Sequence, residues 1–124
     1  MGPSDGKNST QIEGLKMTIR DFCRDREWDQ FHGAKDLAIG LVTEAAELLE
    51  IFRFQSPEQC DSLLSDETGR RAVADELADV FFFLLRFSDR FEFDLEEALR
   101  GKLKKNAERY PVSEFRGRNH KAKK

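Results

Sequence analysis

Four acidic residues could do chemistry because they interrupt apolar helical stripes. Glu44 and Glu47 lie three residues apart in one segment, and Glu76 and Asp79 repeat that spacing in a second. At 100° per residue, apolar side chains of each segment lie within about 60° of Glu44 or of Glu76. Unpaired carboxylates on such faces are costly to bury and repel one another. A divalent cation resolves this conflict, and carboxylates without His or Cys ligands favour magnesium, with manganese as a substitute.

The predicted ion indicates the kind of substrate. Magnesium commonly completes its octahedron with phosphate oxygens and water, so it would neutralise charge and activate a water without a Ser or Cys nucleophile. Neither His32 nor His120 stands in the Glu-x-x-His arrangement of di-iron bundles, and no P-loop occurs. A single pair of acids at this spacing is ordinarily a solvated helix face. Two pairs within apolar stripes favour the metal site.

Helices are predicted to position these acids. Apolar periodicity predicts helices over about 17–27, 35–54, 69–90 and 94–109. Residues 55–68 are predicted to form a long loop with at most a short helical turn. Because strand-like alternation is lacking, the predicted fold class is an all-α four-helix bundle. The segment 69–90 is apolar nearly all round, so we expect it to be buried against a second subunit.

Length and charge bound the remaining possibilities. The 124 residues suffice for one domain, predicted over 17–111, with 1–16 a disordered segment or an expression remnant and 112–124 a basic flexible tail. A net charge of −3 gives no global attraction to nucleic acid or anionic lipid. Cys23 and Cys60 lack metal-type spacing, and apolar runs are too short for a signal core or a membrane span. We therefore expect a soluble, cytoplasmic protein.

The acids also carry a family resemblance. EAAE at 44–47, followed by ELAD at 76–79, resembles the E-x-x-E and E-x-x-D signature of the MazG-like all-α nucleotide pyrophosphohydrolases. WDQFH at 28–32 and KLKKNAERYP at 102–111 resemble flanking motifs of the dCTP pyrophosphatase branch. The resemblance covers about 19–111, and the ordered set of motifs is more specific than the acids alone.

The resemblance implies a magnesium-dependent enzyme that hydrolyses a nucleoside triphosphate to the monophosphate and pyrophosphate, working as a homotetramer built from tight dimers. It assigns metal binding and catalysis to Glu44, Glu47, Glu76 and Asp79. It places substrate binding at Trp28, Phe31, His32, Phe54, Phe83, Lys102, Asn106 and Tyr110.

Individual roles are consistent with elementary chemistry. Trp28 and Phe54 offer flat faces to a base, although core packing is the alternative for both, and His32 can supply a hydrogen bond. Lys102 and Asn106, one helical turn apart, could face triphosphate oxygens.

Two departures from the dCTP-preferring branch leave the base open. That branch tends to carry Trp at the position of Phe54 and Tyr at that of Phe83. We expect deoxynucleotides such as dCTP or dATP and, by analogy, a house-cleaning role in the nucleotide pool.

Several alternatives remain at this point. The chain could resemble dUTPase or phosphoribosyl-ATP pyrophosphohydrolase in substrate, or be a non-enzymatic helical module with a structural metal. In the latter case the tail from Arg116 to Lys124 would suit a nucleic-acid arm. The sequence leaves open the number of metal ions, the acid that orients the water, and whether 55–68 is a lid.

Overall fold

The computed structural model describes residues 11–123, which are helical with connecting turns and contain no strand. This confirms the predicted all-α class. The helices are α1 (Gln11–Asp25), α2 (Ala34–Phe52), α3 (Pro57–Ser65), α4 (Glu67–Arg90), α5 (Leu95–Arg109) and α6 (Val112–Phe115), with a 3₁₀ turn at Asp29–Phe31 between α1 and α2. None of these helices is long and apolar enough to cross a membrane.

The described residues form two compact units, which divide after Phe91. In the first unit α4 packs most extensively along α2 and also contacts α1 and α3. The apolar side chains at its centre are Cys23, Leu37, Val73 and Leu85. Helices α2 and α4, which carry the four acids, are therefore held side by side by their apolar faces.

Helix α1 already includes Gln11, six residues before the predicted start at Met17. Lys16 is buried there, and its ammonium pairs with Glu13 one turn earlier. Such an i, i+3 pair supports the added turn, and the lysine stem covers apolar surface. Residues 11–16 of the segment predicted to be disordered are thus helical, while residues 1–10 lie outside the described part of the chain.

The long loop predicted over 55–68 was wrong, because nine of its residues form α3. The Ser56 side chain accepts from the backbone N–H of Gln59, whose side chain accepts in return from the backbone N–H of Ser56. With Pro57 at the first helical position, this is a complete capping box. A Cβ at Gly69 would lie 2.2 Å from the Leu63 carbonyl oxygen, so glycine lets the end of α3 meet the start of α4.

The second unit begins with α5, whose first turn is capped by Asp94. Its carboxylate accepts from the backbone N–H of Glu97 at 2.9 Å, as the spacing predicted. The segment predicted to be a flexible tail makes contacts of its own. The Phe115 ring packs against Tyr110 at 4.8 Å between centroids, and the Ala122 N–H donates to the Tyr110 hydroxyl at 3.2 Å.

Candidate active site

Three of the four predicted acids converge between α2 and α4. Glu44 and Glu47 from α2 and Glu76 from α4 each offer a carboxylate oxygen, and these oxygens lie within 4.8 Å of one another. Glu44 and Glu76 are half-buried, whereas Glu47 is exposed. Asp79 lies outside this group of three but interacts with Glu44 through a hydrogen bond and its charge. We call these four residues the acidic cluster.

Within residues 11–123, the acidic cluster holds negative charge without a protein cation to balance it. No salt bridge formed within residues 11–123 includes any of the four acids. Oε2 of Glu76 is buried and has no hydrogen-bond partner in the part of the chain that the structure describes. Buried polar atoms are nearly always paired, so this oxygen fits the role of a ligand to a cation. An all-oxygen set of carboxylates suits a hard divalent cation such as magnesium.

The crowded carboxylates hold protons more tightly than isolated ones do. A hydrogen bond with Glu47, burial, and the charges of Glu47 and Asp79 raise the pKa of Glu44 to about 7. Burial, followed by the charges of Glu47, Asp79 and Asp75, raises the pKa of Glu76 above its ordinary value. A bound cation would reverse both effects, because it favours the ionised carboxylates.

A cavity of about 320 Å³ adjoins the cluster and has aromatic walls. Its lining residues are Phe22, Trp28, Glu44, Asp79, Phe82 and Phe83. The aromatic rings hold one another edge to face, with centroids of Phe22 and Trp28 5.6 Å apart and those of Phe82 and Phe83 5.3 Å apart. The cavity thus combines flat apolar surfaces with two carboxylates of the acidic cluster.

The sequence singled out Trp28 and Phe83 but missed the other two rings. Phe22 fits the core periodicity of the first helix, so nothing marked it as a site residue. Phe82 follows Asp79 by three residues, and that i, i+3 spacing was the signal that could have found it.

Gly40 allows the Phe83 ring to approach the backbone of α2. A Cβ at this position would lie only 2.3 Å from Cε1 of Phe83. Real Cβ atoms do not approach so closely, so any larger residue would push the ring away. Gly40 therefore allows the position of Phe83, which is one wall of the cavity.

Arg86 ties the WDQFH segment to α4. Its side chain is 1% exposed, and its Nε–H donates to Nδ1 of His32 at 2.9 Å. Its terminal nitrogen forms an ion pair with Asp29, and Arg90 donates to the backbone carbonyl of Asp29 at 3.2 Å. The His32 ring in turn stands 6.3 Å from that of Trp28. Sequence periodicity missed Arg86, because its partners lie more than 50 residues earlier in the chain.

Residues 39–124 match the MazG-like family. The chain belongs to this family. The match spans the acidic cluster and confirms the resemblance seen in the sequence.

Relatives of this MazG-like chain include dCTP pyrophosphatase 1 of Bos taurus, 31% identical over 94% of this chain and 69% of the relative. The same enzyme of Rattus norvegicus is 32% identical over 94% of this chain and 68% of the relative. Among solved structures, a pyrophosphatase from Archaeoglobus fulgidus matches with a TM-score of 0.76 and 36% identity, covering 83% of this chain and 94% of that one. These relatives confirm the predicted enzyme class, a nucleoside triphosphate pyrophosphatase, so the non-enzymatic module is set aside.

Other predicted substrate residues of the MazG-like chain are not among those that line this cavity. Phe31 is exposed, and Phe54 is 83% exposed, with the Arg53 guanidinium 4.8 Å from its ring. Three more belong to the second unit: Lys102, Asn106 and Tyr110. Of these, Lys102 is exposed, while the Asn106 carbonyl accepts from the Tyr110 N–H. Their roles toward substrate remain predictions.

Proposed function

We propose that this chain hydrolyses nucleoside triphosphates to monophosphates and pyrophosphate in a magnesium-dependent reaction, with deoxynucleotides such as dCTP or dATP preferred. The observation that carries the proposal is the buried, unpartnered Oε2 of Glu76, which lies in the acidic cluster next to an aromatic cavity. The acidic cluster suits a cation bound to a triphosphate. The adjoining cavity, with its flat apolar walls, suits the base of the same nucleotide.

The four acids would hold the ion, with Mn²⁺ as a substitute for Mg²⁺. When bound, magnesium would neutralise charge on the phosphate oxygens and lower the pKa of a water for attack. Glu44, Glu47 and Glu76 supply oxygens that already lie within 4.8 Å of one another, so little rearrangement is needed. Because Glu44 holds a proton up to about pH 7, ion binding near neutral pH should release protons.

The aromatic cavity would receive the base. Trp28, Phe82 and Phe83 offer rings on which a base can stack, and His32 stands beside Trp28 as a hydrogen-bonding group. Phe83 presents no polar atom, so base selection must come from other contacts. We propose dCTP first because relatives carry that name, and a house-cleaning role in the nucleotide pool follows.

The remaining predicted contacts are part of the same proposal. Phe31 and Phe54 would contribute further aromatic surface, with Phe54 near the base. Lys102, Asn106 and Tyr110 would contact the phosphates through their polar groups. We further propose a homotetramer and a cytoplasmic location.

The test is pyrophosphate release from each common dNTP and NTP with magnesium, for the native chain and for Glu47→Gln and Glu76→Gln. We expect monophosphate and pyrophosphate in equal amounts, no turnover with chelator, and a loss of roughly tenfold or more in each variant. Glu50→Gln, one turn beyond Glu47 on α2, is the matched control, since Glu50 forms only an exposed pair with Arg53. Turnover that survives chelator or Glu76→Gln would contradict the metal site.

Substrate profiling separates the enzyme alternatives. A strong preference for dUTP would favour a dUTPase-like enzyme, and turnover confined to phosphoribosyl-ATP would favour a phosphoribosyl-ATP pyrophosphohydrolase. Release of inorganic phosphate in place of pyrophosphate would contradict cleavage between the α- and β-phosphates.

A further inference from the structure

Arg86 is a buried charge that the proposed chemistry does not use. Burying a guanidinium is costly unless its hydrogen bonds are satisfied, and here they reach back to the segment around the 3₁₀ turn. One nitrogen pairs with Asp29, and Nε–H donates to Nδ1 of His32. The buried cation of α4 therefore bears directly on the state of His32.

The direction of this hydrogen bond determines the protonation of the imidazole. An arginine is protonated at every relevant pH and can only donate. Nδ1 of His32 must then accept through its lone pair, so a neutral ring carries its proton on Nε2. Nε2 forms no hydrogen bond with any residue in 11–123, which leaves this donor available to a bound molecule.

Burial and the nearby charges together also favour the neutral form of His32. Burial and the cations Arg86 and Arg90 lower the pKa of His32, and they outweigh Asp29 and Asp36, which raise it. These four charged groups come from the turn, from α2 and from α4. His32 therefore takes up a second ring proton only at a lower pH than a free imidazole does.

We propose that Arg86 is a positioning residue that holds His32 as a neutral imidazole, with Nε2–H as the donor to a hydrogen-bond acceptor of the nucleotide. That the acceptor belongs to a nucleotide rests on the proposed function. Trp28 links His32 to the cavity, since its ring lines the cavity and stands against the imidazole. His32 thus favours ligands that present a hydrogen-bond acceptor to Nε2–H. Because the tautomer is fixed, this preference for acceptors does not change with pH.

Arg86→Met tests this by removing the donor and the charge while keeping an unbranched apolar chain. Without the guanidinium, Nδ1 is free to take a proton, and Asp29 and Asp36 raise the pKa of His32. We expect ¹⁵N spectra of histidine-labelled protein near pH 6 to show the Nε2–H tautomer in the native chain, and in the variant a mixture of tautomers with a larger fraction of imidazolium. His120→Gln assigns the resonances. We expect KM to rise about tenfold near pH 6 and less near pH 8, with kcat nearly unchanged.

Two further variants separate positioning from general stabilisation. Arg20→Met removes an ion pair between α1 and α4, the two-point pair with Asp89, without touching His32. We expect it to leave the tautomer and KM unchanged. Asp29→Asn keeps the Arg86 donor, so we expect it to retain the Nε2–H tautomer and to lower the pKa of His32.

Each outcome decides the proposal. An Nδ1–H tautomer or an imidazolium in the native chain at pH 7 would overturn it, as would a folded Arg86→Met with native tautomer and KM. If Arg86→Met does not fold, the native spectrum and Asp29→Asn still decide. If the native chain turns over no nucleotide, the proposed function fails, while the spectra still show whether Arg86 controls His32.

Discussion

At the scale of single residues, the carboxylates that make the site useful oppose the folding of the metal-free chain. Glu44 and Glu76 are half-buried beside like charges, and Oε2 of Glu76 lacks a partner. Sites of this kind are commonly unfavourable for stability until the ligand binds. The acidic cluster should therefore make stability depend on both pH and magnesium.

The pH dependence has a definite sign. Glu44 in the folded chain has its pKa raised from 4.5 to about 7, so it keeps its proton where the unfolded chain has lost it. The contribution of Glu44 to the free energy of unfolding of the metal-free chain is therefore full below pH 4.5. It declines as the pH rises toward 7. We expect Tm in chelator to fall over that window, and magnesium to restore it above pH 7. Thermal melts check this.

Variants distinguish Glu44 from the many other titrating groups. Glu44→Gln should flatten this part of the pH profile and abolish the response to magnesium, whereas Glu50→Gln should keep both. A native chain whose Tm rises steadily from pH 4.5 to 7 in chelator would contradict the assignment.

At the scale of elements, the contact between α2 and α4 shapes the cavity. Gly40→Ala places a methyl group 2.3 Å from the present position of Phe83 Cε1, so the ring must move or the helices must separate. Overpacking of this kind costs about 1–3 kcal/mol. We expect a lower Tm and a higher KM, measured by thermal melts and by pyrophosphate release.

Gly14→Ala is the control for Gly40→Ala. Gly14 lies on the exposed side of α1, and a Cβ there meets nothing within 4 Å. It should stabilise α1 by up to about 1 kcal/mol with KM unchanged, since alanine is the better helix former. Adding Phe83→Leu to Gly40→Ala should recover part of the lost stability. If Gly40→Ala keeps native Tm and KM, Phe83 is not held as described.

The sequence predicted the elements better than their contacts. Helix α4 was predicted because its segment of helical apolar periodicity is long. Helix α3 was missed, although Ser56 and Gln59 have the spacing of a capping box. Phe82 was not assigned to the cavity, since a helix that is apolar nearly all round favours no single face, and only its i, i+3 spacing from Asp79 pointed toward the site. Arg86 could not be paired with His32, because the pairing spans 54 residues and depends on how helices pack.

At the scale of the whole molecule, the described chain leaves large apolar side chains in contact with solvent. Leu77, Phe81 and Leu84 share one face of α4 and are 52%, 39% and 39% exposed. Contiguous apolar surface of this kind on a globular protein marks an interaction site. The sequence-based expectation of a second subunit against α4 remains a prediction, and its physical reason is this face.

Leu77→Glu tests whether that face meets another copy of the chain. A carboxylate in the centre of a subunit interface would have to be buried without a partner, so the assembly should dissociate. We expect light scattering to give the mass of an oligomer for the native chain and a smaller species for Leu77→Glu. Thr68→Glu adds the same charge to the exposed first turn of α4 and should leave the mass unchanged. A native chain that is monomeric at assay concentrations would contradict the expected oligomer and would require one chain to form the complete site.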